Sequence, residues 1–392
     1  MIGLLRLRAT LVRAGFLLGR LVPLRNRVVF ATAHADRIGG NMAWIRDELR
    51  ARRLDASIVA LAHLPSGKRW SNLAAALRSI QAGYHLATAR LTVVDDYYFP
   101  MYVIKPRPGT TFVQVWHACG AFKRFGYSVL DRSFGADEEF VKTVAIHSNY
   151  DLCLVSAARF APAYAEAFRQ PLDRFTARLG IPRTDLFFDA VRVDRIAAEV
   201  RARYAIPAGR RVILYAPTFR GARVTKARNP DDLDLGLLKT ALGQDHVLLL
   251  RSHPFVHARL ANPELADFVI DVSDHPDMNE LMLVSDILVT DYSSAMYEFA
   301  LLGRAMAFFA PDHDAYEAER GFYFDYRTGL PGPIFTTTKA LADHVRVGDF
   351  DLDRVRAFAA ESFDVADGGA TRRFVDEVVV PALGRLPARQ AD

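Results

Sequence analysis

The sequence predicts an α/β protein with two halves, each a doubly wound parallel sheet covered by helices on both faces. At 392 residues the chain is too long for one hydrophobic core and suits two domains. Short apolar runs alternate with helical patterns through the first half, and the alternation restarts after residues 178–183. Such alternation is typical of parallel sheets, whose ligands lie beyond the carboxyl ends of the strands. We therefore expect a ligand cleft between the two halves.

The elements follow in order along the chain. The first half has strands at 27–32, 57–61, 91–95, 111–116 and 152–155, and helical patterns at 41–52, 71–82 and 157–169. The second half has strands at 211–215, 247–250, 268–272, 287–290 and 306–309, and helical patterns at 189–204, 339–346, 352–361 and 371–380. We predict one domain at 27–188 and another at 189–365, preceded by a segment 1–26 and followed by a C-terminal helix and tail, 366–392.

The first 23 residues predict a basic amphipathic helix. Arg6, Arg13 and Arg20 recur every seven residues and therefore share one helical face. The opposite face carries apolar side chains: Leu4, Leu7, Leu11, Leu18 and Val22. Such a helix suits the interface of an anionic membrane. The alternative is a helix that packs on its own domain. A signal peptide is disfavoured because the apolar run between Arg13 and Arg20 is too short.

Composition narrows the class of protein. Hydrophobic residues make up 51% of the chain and charged residues 24%, which predicts a folded globular protein. The net charge of +5 favours an anionic partner, but nucleic acid is disfavoured because the charge is spread out and no recognition motif is visible. Cys119 and Cys153 lie too far apart for a CxxC pair. No phosphate-binding P-loop or strand-end Asp-x-Asp occurs, so we predict no metal and no cofactor.

Polar side chains follow four of the predicted strands, where a ligand is expected. They are His117 and Lys123 after 111–116, Thr218 and Arg220 after 211–215, Arg251 and His253 after 247–250, and Asp291, Ser293 and Ser294 after 287–290. Cations, hydroxyls and imidazoles at four strand ends predict a phosphate-rich substrate held between the domains.

The turn after strand 287–290 is the most informative of these sites. A strand, a short turn and a helix N-terminus present free N–H groups and the positive end of a helix dipole to an anion. Ser293 and Ser294 could bind that anion, or could only cap the helix. Glu298, one helical turn later, could accept hydrogen bonds from ribose hydroxyls, or could be a structural helix residue.

Histidine is the residue type best suited to proton transfer near neutral pH. His117 and His253 stand at strand ends and are the candidates, although each could instead be a structural residue bonded to a backbone carbonyl. The remaining histidines that we considered are interpreted as structural or surface residues: His34, His63, His147 and His257. The segment 316–326, which contains Arg320 among aromatic residues, is predicted to be a loop anchored by aromatic packing.

Six ordered motifs resemble one known family. They are Val115-Trp116-His117 with Lys123 and Gly126, and residues 179–185, 214–220, 251–254, 290–294 and 319–326. This set is similar to the CDP-glycerol glycerophosphotransferases, the primases and polymerases of teichoic acid synthesis, from about His117 to Tyr326. The family often has Gly after the Trp-His pair, whereas Ala118 and Cys119 follow here.

The resemblance implies a GT-B-type fold of two Rossmann-like domains, with an N-terminal acceptor domain and a C-terminal domain that binds CDP-glycerol. It implies a monotopic enzyme on the cytoplasmic membrane face that transfers glycerol phosphate to a lipid-linked saccharide or a glycerol phosphate chain and releases CMP. His117 matches the family's general base, and His253 matches the histidine that contacts the phosphates. We expect the other substrate-binding residues to be Lys123, Arg183, Thr218, Arg220, Arg251, Asp291, Ser293, Ser294, Glu298 and Arg320.

Three alternatives stay open at this point. A ribitol phosphate transferase would use CDP-ribitol, and a glycosyltransferase or epimerase of the same fold would use a UDP-sugar. A third alternative is a membrane-peripheral binding protein that has lost catalysis, although the presence of His117, Lys123, Arg251 and His253 argues against it. The sequence leaves open a homo-oligomer.

Overall fold

The structure is a computed structural model that describes residues 2–62, 71–130, 141, 143–221, 228–230, 232–253, 256 and 262–384. Within these ranges the chain forms two six-stranded sheets in which every pair of neighbouring strands is parallel. The α/β class and the two doubly wound sheets agree with the prediction. We call the sheets, with the helices packed on them, the first-sheet unit and the second-sheet unit.

The first sheet has the strand order β2-β1-β3-β4-β5-β6. Its strands are β1 (Arg25–Thr32), β2 (Ser57–Ala62), β3 (Ala89–Val94), β4 (Thr111–Gln114), β5 (Leu152–Leu154) and β6 (Phe175–Thr176). Its helices are α1 (Ile2–Arg20), α2 (Gly40–Ala51), α3 (Ser71–Thr88), α4 (Phe99–Tyr102) and α5 (Ala161–Phe168). The strand order reverses between β1 and β3, which opens a crevice at their carboxyl ends.

The second sheet has the strand order β12-β11-β10-β7-β8-β9, the arrangement typical of dinucleotide-binding folds. Its strands are β7 (Arg211–Ala216), β8 (His246–Leu250), β9 (Val269–Asp271), β10 (Ile287–Thr290), β11 (Ala305–Phe309) and β12 (Ile334–Phe335). Its order reverses between β7 and β10, so a second crevice opens where the residues after these two strands diverge.

The remaining helices surround the second sheet or follow it. They are α6 (Ala190–Arg203), α7 (Leu235–Leu242), α8 (Met278–Leu283), α9 (Ala295–Ala300), α10 (His313–Arg320), α11 (Tyr326–Gly329), α12 (Thr338–Val347), α13 (Leu352–Ser362), α14 (Ala370–Phe374) and α15 (Val380–Leu383). A π-helical turn, Val375–Val379, joins α14 to α15.

The end of the chain returns to the first-sheet unit. The Asp185 carboxylate accepts hydrogen bonds from the backbone N–H groups of Ala370 (2.9 Å) and Thr371 (2.8 Å). On the same side, Arg52, the residue after α2, forms an ion pair with Asp376. The C-terminal helices therefore pack on the first-sheet unit, next to Asp185 and the end of α2.

The N-terminal helix is present and packs against α3. Its buried face includes Val12 and Phe16, and the two backbones touch so closely that a Cβ on Gly15 would lie 1.9 Å from the Ile80 carbonyl oxygen. On its other faces Leu4, Leu7, Leu17 and Leu18 are exposed. No helix among the described residues is long and apolar enough to cross a membrane. The helix therefore packs on its own unit, which was the alternative to membrane binding, and four of its leucines are exposed to solvent.

The structure corrects several element assignments. The helix predicted at 71–82 continues to Thr88, because the apolar face of α3 extends along α1. Residues 316–320, predicted as loop, belong to helix α10, which ends at Gly321 with a φ of 70°. The two-residue strands β6 and β12 were not predicted, because two residues are too few to show an alternating pattern.

Candidate active site

A cleft of about 780 Å³ lies between the carboxyl ends of the two sheets. Its walls come from residues that follow β1, β3 and β4 on one side and β7, β8 and β10 on the other. Eight of the predicted site residues line it: His117, Arg183, Thr218, Arg251, His253, Ser293, Ser294 and Glu298. Lys123, Arg220, Asp291 and Arg320 are not among the lining residues and lie behind them.

His117 stands on the first-sheet side with a defined orientation. Its ring stacks on Trp116 with the ring centroids 4.6 Å apart, and its Nδ1 lies 3.0 Å from the backbone oxygen of Asp95. A carbonyl oxygen can only accept, so Nδ1 donates this hydrogen bond and Nε2 is the nitrogen that can accept a proton from a substrate. The side chain is 43% exposed and lines the cleft, which suits a group that must accept a proton from a bound hydroxyl.

A second histidine and two carboxylates surround His117. His34 follows β1, and its Nδ1 lies 3.2 Å from Asp96 Oδ2 and 3.7 Å from Asp95 Oδ1. Burial acts to lower the pKa of His34, but the hydrogen bond to Asp96 and the charges of both aspartates outweigh it and raise that pKa. Burial would raise the pKa of Asp96, yet the charge of His117 and the hydrogen bond from His34 lower it. Burial raises the pKa of Asp95 despite the two neighbouring imidazoles.

His34, which was interpreted as a structural or surface residue, lines the cleft and was not among the predicted site residues. The signal was available: His34, Asp95 and Asp96 follow β1 and β3 as His117 follows β4, so the strand-end rule applied to them too. His147 is structural as predicted, since it is fully buried and burial lowers its pKa to about 3. His63 and His257 lie outside the described residues.

Arg183 joins the two units at the centre of the cleft. Its guanidinium donates to the His117 backbone oxygen at 2.6 Å and forms an ion pair with Glu298 of α9. Its backbone N–H is fixed by Asn41 Oδ1 at 3.0 Å. Glu298 lines the cleft with a side chain that is only 3% exposed, and its buried Oε2 has no hydrogen-bond partner among the described residues. Arg183 therefore links the loop that carries His117 to Glu298 of the second-sheet unit.

His253 lies in the most positive part of the second-sheet side. Burial is the main cause that lowers its pKa to about 4, and the charges of Lys123, Arg251 and Arg320 add to the effect. The Arg251 guanidinium is held by the backbone oxygen of Ser273. An imidazole among three cations favours a bound anion, because the anion would offset the repulsion among the positive charges.

Two of these cations, Lys123 and Arg320, contact aromatic side chains and are not among the residues that line the cleft. Lys123 Nζ lies 3.4 Å from the Tyr316 hydroxyl, and the Arg320 guanidinium packs over Phe219 and Tyr316 at 5.0 and 5.3 Å from the ring centroids. Aromatic faces attract such cations, and Arg320 Nε also lies 3.8 Å from Glu319 Oε1. Sequence reasoning grouped Lys123 and Arg320 with the substrate-binding residues; neither is among the residues that line the cleft, although their charges act on His253.

Arg220 and Asp291 form a buried network beneath the cleft. Arg220 donates to Asp291 Oδ2 at 2.9 Å and forks onto Asp312 at 2.6 and 3.0 Å. Asp291 Oδ1 also accepts from the N–H and hydroxyl of Thr218, at 2.8 and 3.0 Å. The two carboxylates raise the pKa of Arg220 despite its burial. These side chains are already paired with one another, so they hold Thr218 in place at the cleft wall.

The serine turn lines the cleft at the start of α9. Ser293 Oγ accepts the Ala295 N–H at 3.2 Å, while the Ser294 side chain makes no capping hydrogen bond to α9. Capping therefore accounts for one of the two serines.

Among the described residues, no three His, Cys, Asp or Glu side chains are arranged to hold a metal ion.

Comparison with known proteins identifies the family. The chain matches the CDP-glycerol:poly(glycerophosphate) glycerophosphotransferases over residues 16–380. It belongs to this family. A teichoic acid ribitol-phosphate primase of Bacillus spizizenii is a family relative that is 37% identical over 92% of both chains. A teichoic acid poly(ribitol-phosphate) polymerase of the same organism is 34% identical over 96% of this chain and 60% of its own length.

The structure also resembles a solved structure of the wall teichoic acid polymerase TagF. The TM-score is 0.77 at 24% identity, over 94% of this chain and 93% of that chain. A UDP-GlcNAc 2-epimerase from Neisseria meningitidis aligns with a TM-score of 0.53 at 12% identity, over 89% of this chain and 98% of that chain. At these identities the likeness concerns the fold, and the GT-B-type arrangement predicted for the glycerophosphotransferase family is the one observed.

Proposed function

We propose that this protein transfers glycerol phosphate from CDP-glycerol to a hydroxyl group of a teichoic acid precursor and releases CMP. The observation that carries the proposal is that one cleft is lined both by His117, with Nδ1 bonded to a backbone oxygen, and by His253, which lies near three cations. One side suits proton removal from an acceptor hydroxyl, and the other suits a diphosphate. Membership of the glycerophosphotransferase family supports the same reaction.

The donor would lie on the second-sheet side. Its diphosphate would sit against Ser293 and Ser294, where Arg251 and His253 offset its charge and Thr218 contributes a polar wall. The unpartnered Oε2 of Glu298 would accept a ribose hydroxyl. A TagF structure was obtained from a crystal soaked with CDPG, and TagF shares this fold.

The acceptor would approach from the first-sheet side, with its hydroxyl at His117 Nε2. The acceptor oxygen forms a bond to the phosphorus that bears glycerol, and the bond from this phosphorus to the bridging oxygen breaks. CMP leaves with the electron pair of that bond, and the acceptor proton remains on His117 until solvent removes it. Direct displacement in this way needs positioning and charge stabilisation more than covalent chemistry from the protein.

CDP-ribitol is the second candidate donor. The ribitol-phosphate primase is 37% identical over 92% of this chain, whereas a teichoic acid glycerol-phosphate primase of the same organism is 29% identical over 77%. The two polyols differ by two carbons with their hydroxyls, and the groups proposed to bind the CDP part serve either donor. Donor choice is therefore a question for experiment.

The test measures CMP release by the purified protein with CDP-glycerol or CDP-ribitol, with and without a lipid-linked disaccharide or a short glycerol phosphate primer. We expect acceptor-dependent CMP, and His117→Ala should lower the rate by about two to four decades while leaving the fold intact. A preference for CDP-ribitol would identify CDP-ribitol, in place of CDP-glycerol, as the donor. Turnover of a UDP-sugar without CMP release from either donor would overturn the proposal.

We also propose that α1 and α3 bind the cytoplasmic face of an anionic membrane. Exposed leucines on these helices support this: Leu4, Leu7, Leu17 and Leu18 on α1, and Leu73 and Leu77 on α3. Arg6 and Arg20 are exposed on α1 and would meet anionic headgroups. Leu17→Glu should reduce co-sedimentation with phosphatidylglycerol vesicles, whereas Val347→Glu, at an exposed apolar residue of α12, should not. Equal losses in both variants would contradict the proposed surface.

A further inference from the structure

Three neighbouring strands of the first sheet bring a carboxylate between two imidazoles. His34 follows β1, Asp96 follows β3 and His117 follows β4, and these strands are adjacent in the order β1-β3-β4. Asp96 Oδ2 lies 3.2 Å from His34 Nδ1, and Asp96 Oδ1 lies 4.0 Å from His117 Nδ1. The centroids of the two imidazole rings are 5.5 Å apart. Each histidine is therefore close to the same carboxylate and to the other histidine.

Asp96 is held firmly in this position. Its Oδ1 accepts the Tyr97 N–H at 2.7 Å, and its backbone oxygen accepts from Gln114 Nε2 at 3.2 Å. The Asp96 side chain is 19% exposed, so solvent screens its charge only in part. Asp96 makes no direct hydrogen bond to His117, because the Nδ1 proton of His117 points to the Asp95 carbonyl. Its effect on His117 is therefore electrostatic.

We propose that Asp96 is a positioning residue that stabilises the imidazolium formed on His117 during proton transfer, and that His34 moderates this effect by sharing the carboxylate. The proposal rests on the proposed role of His117 as the base. When His117 takes the acceptor proton, it becomes a cation 4.0 Å from Asp96 Oδ1. An opposite charge at that distance favours the protonated form. A proton on His34 acts in the opposite sense, because it would place a second cation beside His117 and against the same carboxylate, Asp96.

Other charged groups also face His117. Asp36 and Arg37 line the same part of the cleft and are of opposite sign. Arg183 contacts the His117 backbone oxygen and is paired with Glu298. Across the cleft lie Arg251, His253, Asp277 and Glu280. Asp95 is a second carboxylate beside both imidazoles, 3.7 Å from His34 Nδ1. Substitution of Asp96 or His34 leaves all these residues in the sequence, so opposite shifts in the two variants report on the carboxylate of Asp96.

The test is a histidine NMR titration of the protein without substrates, with the His117 signal assigned by its loss in His117→Gln. In Asp96→Asn the His117 signal should titrate at lower pH than in the wild type, because an anion is removed. In His34→Gln that signal should titrate at higher pH, because a competing cation is removed and Asp96 remains. Asp96→Glu should retain the wild-type titration midpoint, and Asp173→Asn, an exposed carboxylate after α5, should leave it unchanged.

Kinetics give a second readout. The acid limb of the kcat profile should move to lower pH in Asp96→Asn and to higher pH in His34→Gln, and the plateau kcat of Asp96→Asn should fall about tenfold with the donor KM unchanged. Shifts in the same direction, or an unmoved His117 titration in both variants, would overturn the proposal. If Asp96→Asn does not fold, the direction of the shift in His34→Gln decides alone. The titration needs no turnover, so its outcome is separate from that of the proposed reaction.

Discussion

Replacing Asp291 by Asn should destabilise the protein more than replacing Asp312 by Asn, although both carboxylates bind Arg220. Asp312 has the better pairing geometry, with two bonds to the guanidinium at 2.6 and 3.0 Å, against one bond of 2.9 Å to Asp291. Asp291 is far more buried, with 2% of its side chain exposed against 31% for Asp312. The comparison asks whether geometry or desolvation dominates in this network.

The magnitude follows from the contacts. In Asp291→Asn the amide oxygen can still accept from the Thr218 N–H and hydroxyl, but the amide NH2 then faces the Arg220 guanidinium. A lost charged hydrogen bond, together with a buried cation deprived of one partner, costs about 3 kcal/mol. Asp312→Asn should cost about 1 kcal/mol, since water can replace part of its contact. At roughly 2.1 cal/mol/K per residue, 3 kcal/mol lowers Tm by about 4 °C if all 392 residues unfold together.

The assay is thermal unfolding of both variants and of Arg220→Met combined with Asp291→Asn. Removing the cation as well as the anion should recover about 2 kcal/mol relative to the sum of the single changes, because the two residues are in contact. Stability should also depend on pH through Asp312. Arg220 lowers the pKa of Asp312 against the effect of burial, so the stabilisation from this carboxylate is fully present above its unfolded pKa. That stabilisation is lost as the pH falls through the lower pKa of the folded state. A larger loss in Asp312→Asn than in Asp291→Asn would refute the argument from burial.

Three further predictions follow from other contacts. Binding of CDP at pH 5 should take up a proton, because a diphosphate beside His253 raises its pKa from about 4, and calorimetry in two buffers should show the uptake in the wild type and not in His253→Gln. Arg183→Ala should lower Tm by several degrees and kcat by at least tenfold, since it leaves Glu298 buried without its cation and frees the His117 loop; an unchanged Tm would contradict the ion pair. Gly120→Ala should destabilise by about 2 kcal/mol or more, because Gly120 has a φ of 64° and a Cβ would lie 2.2 Å from the Tyr297 ring; chemical denaturation, with Gly209→Ala as a control at similar φ in open space, measures the difference.

Much of the fold could be predicted because parallel strands buried on both faces leave continuous apolar runs. The residues of β7, β8 and β10 were identified to within one position, since each run is bounded by polar turns. The return of α14 and α15 to the first-sheet unit could not be predicted, because it depends on contacts such as Asp185 with Thr371 that are 186 residues apart. No local pattern records such a contact.

The candidate site was predicted in outline and differs in its details. Strand-end position brought His117 and His253 to one cleft, because parallel strands end at the same edge. Strand-end position cannot tell which polar group faces the cleft and which binds a neighbour, so Arg220 and Asp291 were grouped with the lining residues. His34 was missed because the turn after β1 was read as structural, although the rule that selected His117 also applied there.

The fold-back of the C-terminal helices has a consequence for synthesis of the chain. Asp185 is translated 186 residues before Thr371, whose N–H it binds. A ribosome adding about 5–20 residues per second needs about 10–40 s to cover that distance. During this interval α14 has not yet been made, so the surface of α2 and the residues around Asp185 remain accessible to chaperones and proteases. The first-sheet unit is therefore completed only after residues 370 and 371 have been made, and a nonsense change before these codons would leave its surface uncovered.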